Sequence, residues 1–275
     1  MVDKLSNPFK RHRIDHLSAS SINQFIMSPA KFILTVSGYR DEFGSPAMWR
    51  GIAVEEGIVT GLKDRRLSLR SIHEVARNRF IKLKDDYIHA ERDKPISTYD
   101  MENMVKRMDK ELKALPVYLE ASVPYFRDLG KPTDYQKKIE LKLEGIPVPI
   151  IGYTDLQYKS EAGNQIVRDI KTVAKLPSKN PSTVERQLAI YAMAENAVPI
   201  VDYVSSSRGG LVESRPVENI EQTKKEIKIA IQAMTNLLSL SEDVSEIAQF
   251  IYPNFDDWMW SKNEIKKAKK LWSIE

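Results

Sequence analysis

Three short strings follow one another in this chain: Gly152-Tyr153-Thr154-Asp155-Leu156, Val167-Arg168-Asp169-Ile170-Lys171-Thr172 and Gln187-Leu188-Ala189-Ile190-Tyr191. Residues i and i+2 of a strand project from one face, so Asp169 and Lys171 are expected to point into one space. Two carboxylates at the ends of adjacent strands, with an ammonium beside the second, make a compact site for a divalent cation. All-oxygen sites suit Mg²⁺ or Mn²⁺, and such ions serve hydrolysis of phosphate esters. Gln187 and Tyr191 are four apart, so a helix would present both on one face, toward that site.

The elements that must hold these residues are legible in the pattern. Tyr135–Leu143 alternates polar and apolar residues, as a half-buried strand does, and Glu144-Gly145 makes a turn. A second strand is expected over Ile146–Leu156, a third over Gln165–Lys171, and two more over Ile200–Ser206 and Gly210–Pro216. Between the third and fourth lies a helix, Val184–Asn196, with Ser182 or Thr183 as its cap. Upstream, Leu17–Ser21 supplies caps for a short helix, Ser28-Pro29 starts another, and Ala47–Thr60 reads as a third. Residues 61–130 are helical in pattern and are expected to form an insertion, either a plain amphipathic bundle or a clamp on DNA. Residues 1–16, with Lys10-Arg11-His12-Arg13, read as a flexible basic arm in which His12 and His16 are solvated. The expectation is one α/β domain, 1–275, with a central mixed sheet at 134–216, helices on its flanks, and C-terminal helices over 217–275.

Composition narrows the chemistry. The 275 residues suffice for a large core, and 42 basic against 38 acidic residues give a net charge of +4, which allows a nucleic-acid partner without requiring one. There is no cysteine, which removes thiol catalysis, zinc–thiolate sites and iron–sulfur clusters. The four histidines lack metal-ligand spacing. No run approaches a membrane span and the N-terminus has no apolar signal core, so a cytoplasmic location without membrane contact is expected (the host cytoplasm if the gene is phage-borne). No Gly-x-x-x-x-Gly-Lys-Ser/Thr loop occurs, so any motor would be a separate protein.

Taken in order, these strings resemble the PD-(D/E)XK nuclease superfamily and, within it, the RecB-like exonuclease branch. Leu17-Ser18-x-Ser20-Ser21-x-x-x-Phe25-x-x-Ser28-Pro29-x-x-Phe32 resembles the branch's first helix. Gly51-x-x-Val54-Glu55 is similar to its Gly-x-x-Val-His block, with glutamate in place of histidine. Gly152-x-x-Asp155, Asp169-Ile170-Lys171 and Gln187-x-x-x-Tyr191 resemble its two carboxylate strands and closing helix. The Tyr252–Trp260 segment looks like the region where some relatives carry iron–sulfur cysteines, which this chain does not have. Packing by Trp258 and Trp260 is expected there instead.

The resemblance implies a restriction-endonuclease-like core and a metal-dependent DNA exonuclease. Its work would be repair, recombination or phage DNA metabolism on single strands or duplex ends, with a separate helicase or strand-annealing protein as partner. It implies that Glu55, Asp155, Asp169 and the Ile170 carbonyl hold Mg²⁺ or Mn²⁺. Glu56 is the alternative to Glu55, and the block favours Glu55. Lys171 would orient or deprotonate the attacking water, or hold a phosphate oxygen, while Gln187 and Tyr191 position Lys171 and the scissile backbone. Ser20, Ser21 and Asn23 are candidate phosphate contacts, with helix capping as the rival role for the serines, and Lys31, Arg50 and Arg186 are further candidates. The basic C-terminal run Lys262–Lys270 reads as a solvated helix face, with a DNA track as the rival, and Trp272 as core, with base stacking as the rival. A structure- or site-specific endonuclease and a non-catalytic DNA-binding scaffold are the rival functions.

Overall fold

The computed structural model describes residues 7–39, 44–91, 98–257 and 259–274. Five strands form one mixed sheet in the order β1-β2-β3-β4-β5: Asp134–Leu141, Ile150–Lys159, Gln165–Val173, Val198–Ser205 and Leu211–Pro216. All neighbours are antiparallel except β3 and β4, which run parallel. The parallel pair needs a crossover, and the helix between them supplies it (α7, Ser182–Glu195). The α/β class, the mixed sheet and its flanking helices are as expected.

Each face of the sheet carries its own core. On one side, Val167, Val201 and Tyr203 pack with α2 (Ala19–Met27), α3 (Pro29–Val36), α7 and α8 (Ile220–Leu238). On the other, Leu156, Ile170 and Val204 pack with α4 (Pro46–Lys63), α5 (Leu69–Glu91) and α6 (Thr98–Asp128). Strand alternation therefore sends Asp169 and Lys171, which follow Val167, to the α7 side, and sends Arg168 to the α6 side. The expected helical insertion is thus the second layer itself, built on α4. Pro116 and Pro124 lie inside α6.

The first helix, α1 (Pro8–Arg11), overturns part of the expected arm. Phe9 is fully buried, and the Nε2 atom of buried His12 lies 3.1 Å from the Leu238 carbonyl and 3.0 Å from that of Ser241. A solvated histidine was expected, but the aromatic residue two positions after Asn7 anchors the segment. Residues 1–6 lie outside the described residues. At the other end, α9 (Val244–Ala248) and α10 (Lys262–Leu271) close the chain. Trp260 and Trp272 are buried there, Lys266, Lys267 and Lys270 face solvent as expected, and Trp258 lies outside the described residues. Helix α7 begins at Ser182 after Pro181 with no side-chain cap, against the expectation.

A buried ion pair clamps β3 in place. Arg168 donates from Nε to Asp202 Oδ2 at 2.8 Å and from Nη2 to Asp202 Oδ1 at 2.9 Å, across the parallel pair. Its Nη2 also reaches the Tyr125 hydroxyl on α6 (3.1 Å) and Ser214 Oγ on β5 (3.0 Å). Burial pushes the Asp202 carboxyl up to about 6 despite the guanidinium, so it is ionised at neutral pH. Arg168→Met strands that carboxylate at 0% exposure. A loss of about 3–5 kcal/mol in urea unfolding at pH 7 is expected, largely recovered in Arg168→Met/Asp202→Leu.

Candidate active site

The site lies where β2 and β3 part company. Their ladder runs from Lys159↔Gln165 to Leu156↔Arg168 and stops. Beyond that, β2 stays paired with β1 to Leu141↔Ile150, while β3 stays with β4 to Val173↔Ser205. The Ile170 N–H, which would have met β2, instead donates to Asp155 Oδ2 at 2.6 Å. The N–H and C=O of one strand residue project to the same side, so the Ile170 carbonyl is aimed into this gap as well.

Four charged side chains meet here. Asp169 is 1% exposed, and Lys171 Nζ forms an ion pair with its Oδ2 at 2.7 Å. From the α4 layer comes Glu55, close enough for its charge to act on Asp155 and for those of Asp169 and Lys171 to act on it. Its Oε1 accepts a 2.8 Å bond from Gln136 Nε2 on β1. Glu56 turns the other way, toward Arg79 Nε at 3.2 Å. Of the two candidate glutamates, it is Glu55 that the fold brings to the site.

Three carboxylates against one ammonium leave the centre short of positive charge. Burial, followed by the charges of Asp169 and Glu55, holds the Asp155 carboxyl well above the usual carboxylate range. Burial and Asp169 likewise raise Glu55, against the pull of its bond from Gln136. For Lys171, burial pulls downward, but Asp169 and Asp155 outweigh it and hold the ammonium above its ordinary value. That pattern, oxygen donors with excess negative charge in a shielded gap, suits a hard divalent cation. Among the described residues, however, no three His, Cys, Asp or Glu side chains stand gathered closely enough to hold a metal ion. Each carboxylate instead has a neighbour: the Ile170 N–H, Lys171 or Gln136.

Tyr191 walls the α7 side of the centre. Its hydroxyl accepts from Gln187 Nε2 at 2.8 Å, and burial pushes its pKa up to about 12. The ring fits only because residue 152 is glycine: a Cβ there would sit 2.7 Å from Tyr191 Cε1. Beyond it opens a cleft of ≈ 370 Å³ lined by His16, Ser18, Ser20, Lys138, Tyr153 and Gln187, among others.

The expected DNA contacts fare unevenly. Ser20 is exposed on the cleft. Ser21 is a capping residue, its hydroxyl accepting from Ser18 N at 2.9 Å. Asn23 ties α2 to α7, donating to the Thr183 carbonyl (2.9 Å) and accepting from Arg186 Nε (2.6 Å), so neither Asn23 nor Arg186 reaches outward. Lys31 pairs with Glu264 Oε1 at 2.8 Å beneath Trp260. Arg50, 6% exposed, pairs with Glu111 and donates to the Thr172 carbonyl at 3.1 Å, which staples α4 and α6 to the end of β3. Those side chains are spent on internal bonds, a role that one-dimensional spacing does not reveal. Residues missed from sequence are Gln136, Arg168 and Asp202. Only the polar residues inside apolar strand runs hinted at the last two.

Comparison with known proteins yields loose overlaps with several solved structures. No family model and no curated protein matches the chain. The crystal structure of SSO0001 overlaps 47% of this chain and 69% of its own, at 16% identity and a TM-score of 0.31. A candidate exonuclease from Eubacterium rectale overlaps 92% of this chain and 89% of its own, at 10% identity and a TM-score of 0.49. Overlaps this loose leave the functional reading to the site's own residues. Among the described residues no helix is long and apolar enough to cross a membrane.

An acid whose pKa is raised by folding binds its proton more tightly in the folded chain. Stability therefore declines as pH rises from the ordinary carboxylate range through the raised value. Asn at 155 keeps an acceptor for the Ile170 N–H but carries no charge. In calorimetry with EDTA, Asp155→Asn is expected to flatten that decline and raise the unfolding midpoint at pH 7 by about 2–4 °C. A lowered midpoint would mean that the charge is favourably paired.

Proposed function

We propose that the protein is a metal-dependent deoxyribonuclease of the PD-(D/E)XK type, RecB-like branch, that hydrolyses phosphodiester bonds from DNA ends. The observation that carries this reading is the convergence of Glu55, Asp155, Asp169 and Lys171 at the β2–β3 gap. A helix and two strands, separated by about a hundred residues of sequence, contribute to it. Scaffolding alone gives no reason to gather three acids there.

Glu55, Asp155, Asp169 and the Ile170 carbonyl would hold Mg²⁺ or Mn²⁺. When bound, the ion supplies a low-pKa water and neutralises phosphate charge. The carboxylates would have to draw together to hold it. Lys171, a protonated ammonium on Asp169 before any metal binds, would then orient or deprotonate the attacking water, or hold a phosphate oxygen. Tyr191, also protonated at neutral pH, has a hydroxyl proton to donate while Gln187 fixes its oxygen. The neighbouring cleft, with Lys138, His16 and Ser20 for phosphates and the 59%-exposed Tyr153 for a base, would receive the strand. Acting on DNA ends in repair, recombination or phage metabolism, beside a separate helicase or annealing protein, completes the proposal.

End-labelled single- and double-stranded DNA and a closed circle, incubated with Mg²⁺, Mn²⁺ or EDTA, test it. Metal-dependent loss of linear DNA with spared circles is expected, and Lys171→Ala should lower the rate about 10²–10³-fold. Cut circles would indicate the endonuclease. Binding without cleavage under either metal would leave a scaffold.

A further inference from the structure

Gln136 has a conformation that a strand does not ask for. Of the described non-glycine residues with positive φ, it alone lies within a β-strand, at φ 48°. Side chains with a Cβ avoid that region, and where they adopt it inside a strand the surroundings must enforce it. The position is telling. Tyr135↔Leu156 and Lys137↔Thr154 are both ladder pairs, so Gln136 stands opposite Asp155, yet these two form no pair of their own.

The left-handed residue also turns the strand over. Residues 135 and 137 of a regular strand would share a face. Here Tyr135 packs with the α4–α6 core, while Lys137 reaches Glu195 of α7 at 2.6 Å, on the other side. Between them, the Gln136 amide is delivered across the gap to Glu55 Oε1 at 2.8 Å, joining β1 to α4 over 81 residues of sequence. A Gly or Asn would satisfy the backbone at lower cost, but neither carries an amide that reaches as far.

Resting on the nuclease reading above, we infer that Gln136 is a positioning residue: its strained backbone aims its amide at Glu55 and holds that carboxylate toward Asp155 and Asp169. Partners that orient a metal-binding side chain typically change metal affinity or activity 10–100-fold when removed. The competing account is that the kink merely curves the sheet edge. The two accounts differ on glycine. If the kink alone matters, Gln136→Gly is neutral or better in every respect. If the amide matters, Gln136→Gly folds at least as well and works worse.

The test uses the full chain with four variants: Gln136→Gly, Gln136→Asn (which tolerates the backbone but stops short of Glu55), Glu55→Ala, and Gln136→Gly/Glu55→Ala. Three quantities are read: unfolding midpoint, Mn²⁺ affinity by isothermal titration, and cleavage of end-labelled linear DNA. Expected are unchanged or higher midpoints for both Gln136 variants, with Mn²⁺ affinity and cleavage each about tenfold lower or worse. In the Glu55→Ala background, Gln136→Gly should cause no further loss. Wild-type affinity and cleavage in either Gln136 variant would overturn the inference, as would an equal loss in the Glu55→Ala background. A wild-type protein that neither binds Mn²⁺ nor cleaves DNA would bring down the nuclease reading and this inference with it.

Discussion

The bond from the Ile170 N–H to the Asp155 carboxylate is the contact on which the site depends. Two strands that separate inside a protein leave backbone donors without ladder partners, and a shielded N–H must find an acceptor. A carboxylate is the strong answer, and it brings a charge into the gap. The gap then admits what a continuous sheet would exclude: Glu55 from the α4 layer, Lys171 from the strand itself, and the Tyr191 ring from α7. Surrounding bonds keep the opening local. Arg168 pins β3 to β4 and β5 through Asp202 and Ser214, and Arg50 pins the far end of β3 to α4 and α6.

The resulting balance costs the fold stability. Asp155 and Glu55 are both held above the ordinary carboxylate range, and the single lysine in reach already sits on Asp169. Fold stability would be better served by amides or apolar residues at these positions. Concentrated, under-compensated acids beside a cleft mark a place where charge is expected to arrive from outside. A divalent metal cation would relieve the imbalance.

Much of this was legible in the chain because short-range rules govern it. Strands β1 to β5 span 134–216, where alternation and turn residues set them, and Ser18 and Ser28-Pro29 mark helix starts. Asp155, Asp169, Lys171, Gln187 and Tyr191 come together because strand and helix periods fix their directions. What spacing does not carry is partnership over long separations. Arg50, Lys31 and Arg186 look like free cations in sequence, yet Glu111, Glu264 and Asn23 claim them from 61, 233 and 163 residues away. Phe9 makes the same point for the N-terminal segment, where one buried ring outweighs a run of basic neighbours. Gln136 eluded the pattern because nothing in an alternating strand announces a left-handed residue.

Whether the β2–β3 gap collects a divalent cation decides what the site does. Anomalous diffraction from crystals soaked in Mn²⁺ measures this directly. An anomalous peak within coordination distance of Asp155, Asp169 and Glu55, absent from Asp155→Asn/Asp169→Asn crystals, is the predicted result. A saturating soak that leaves the gap without a peak, or an equal peak in the variant, would contradict it.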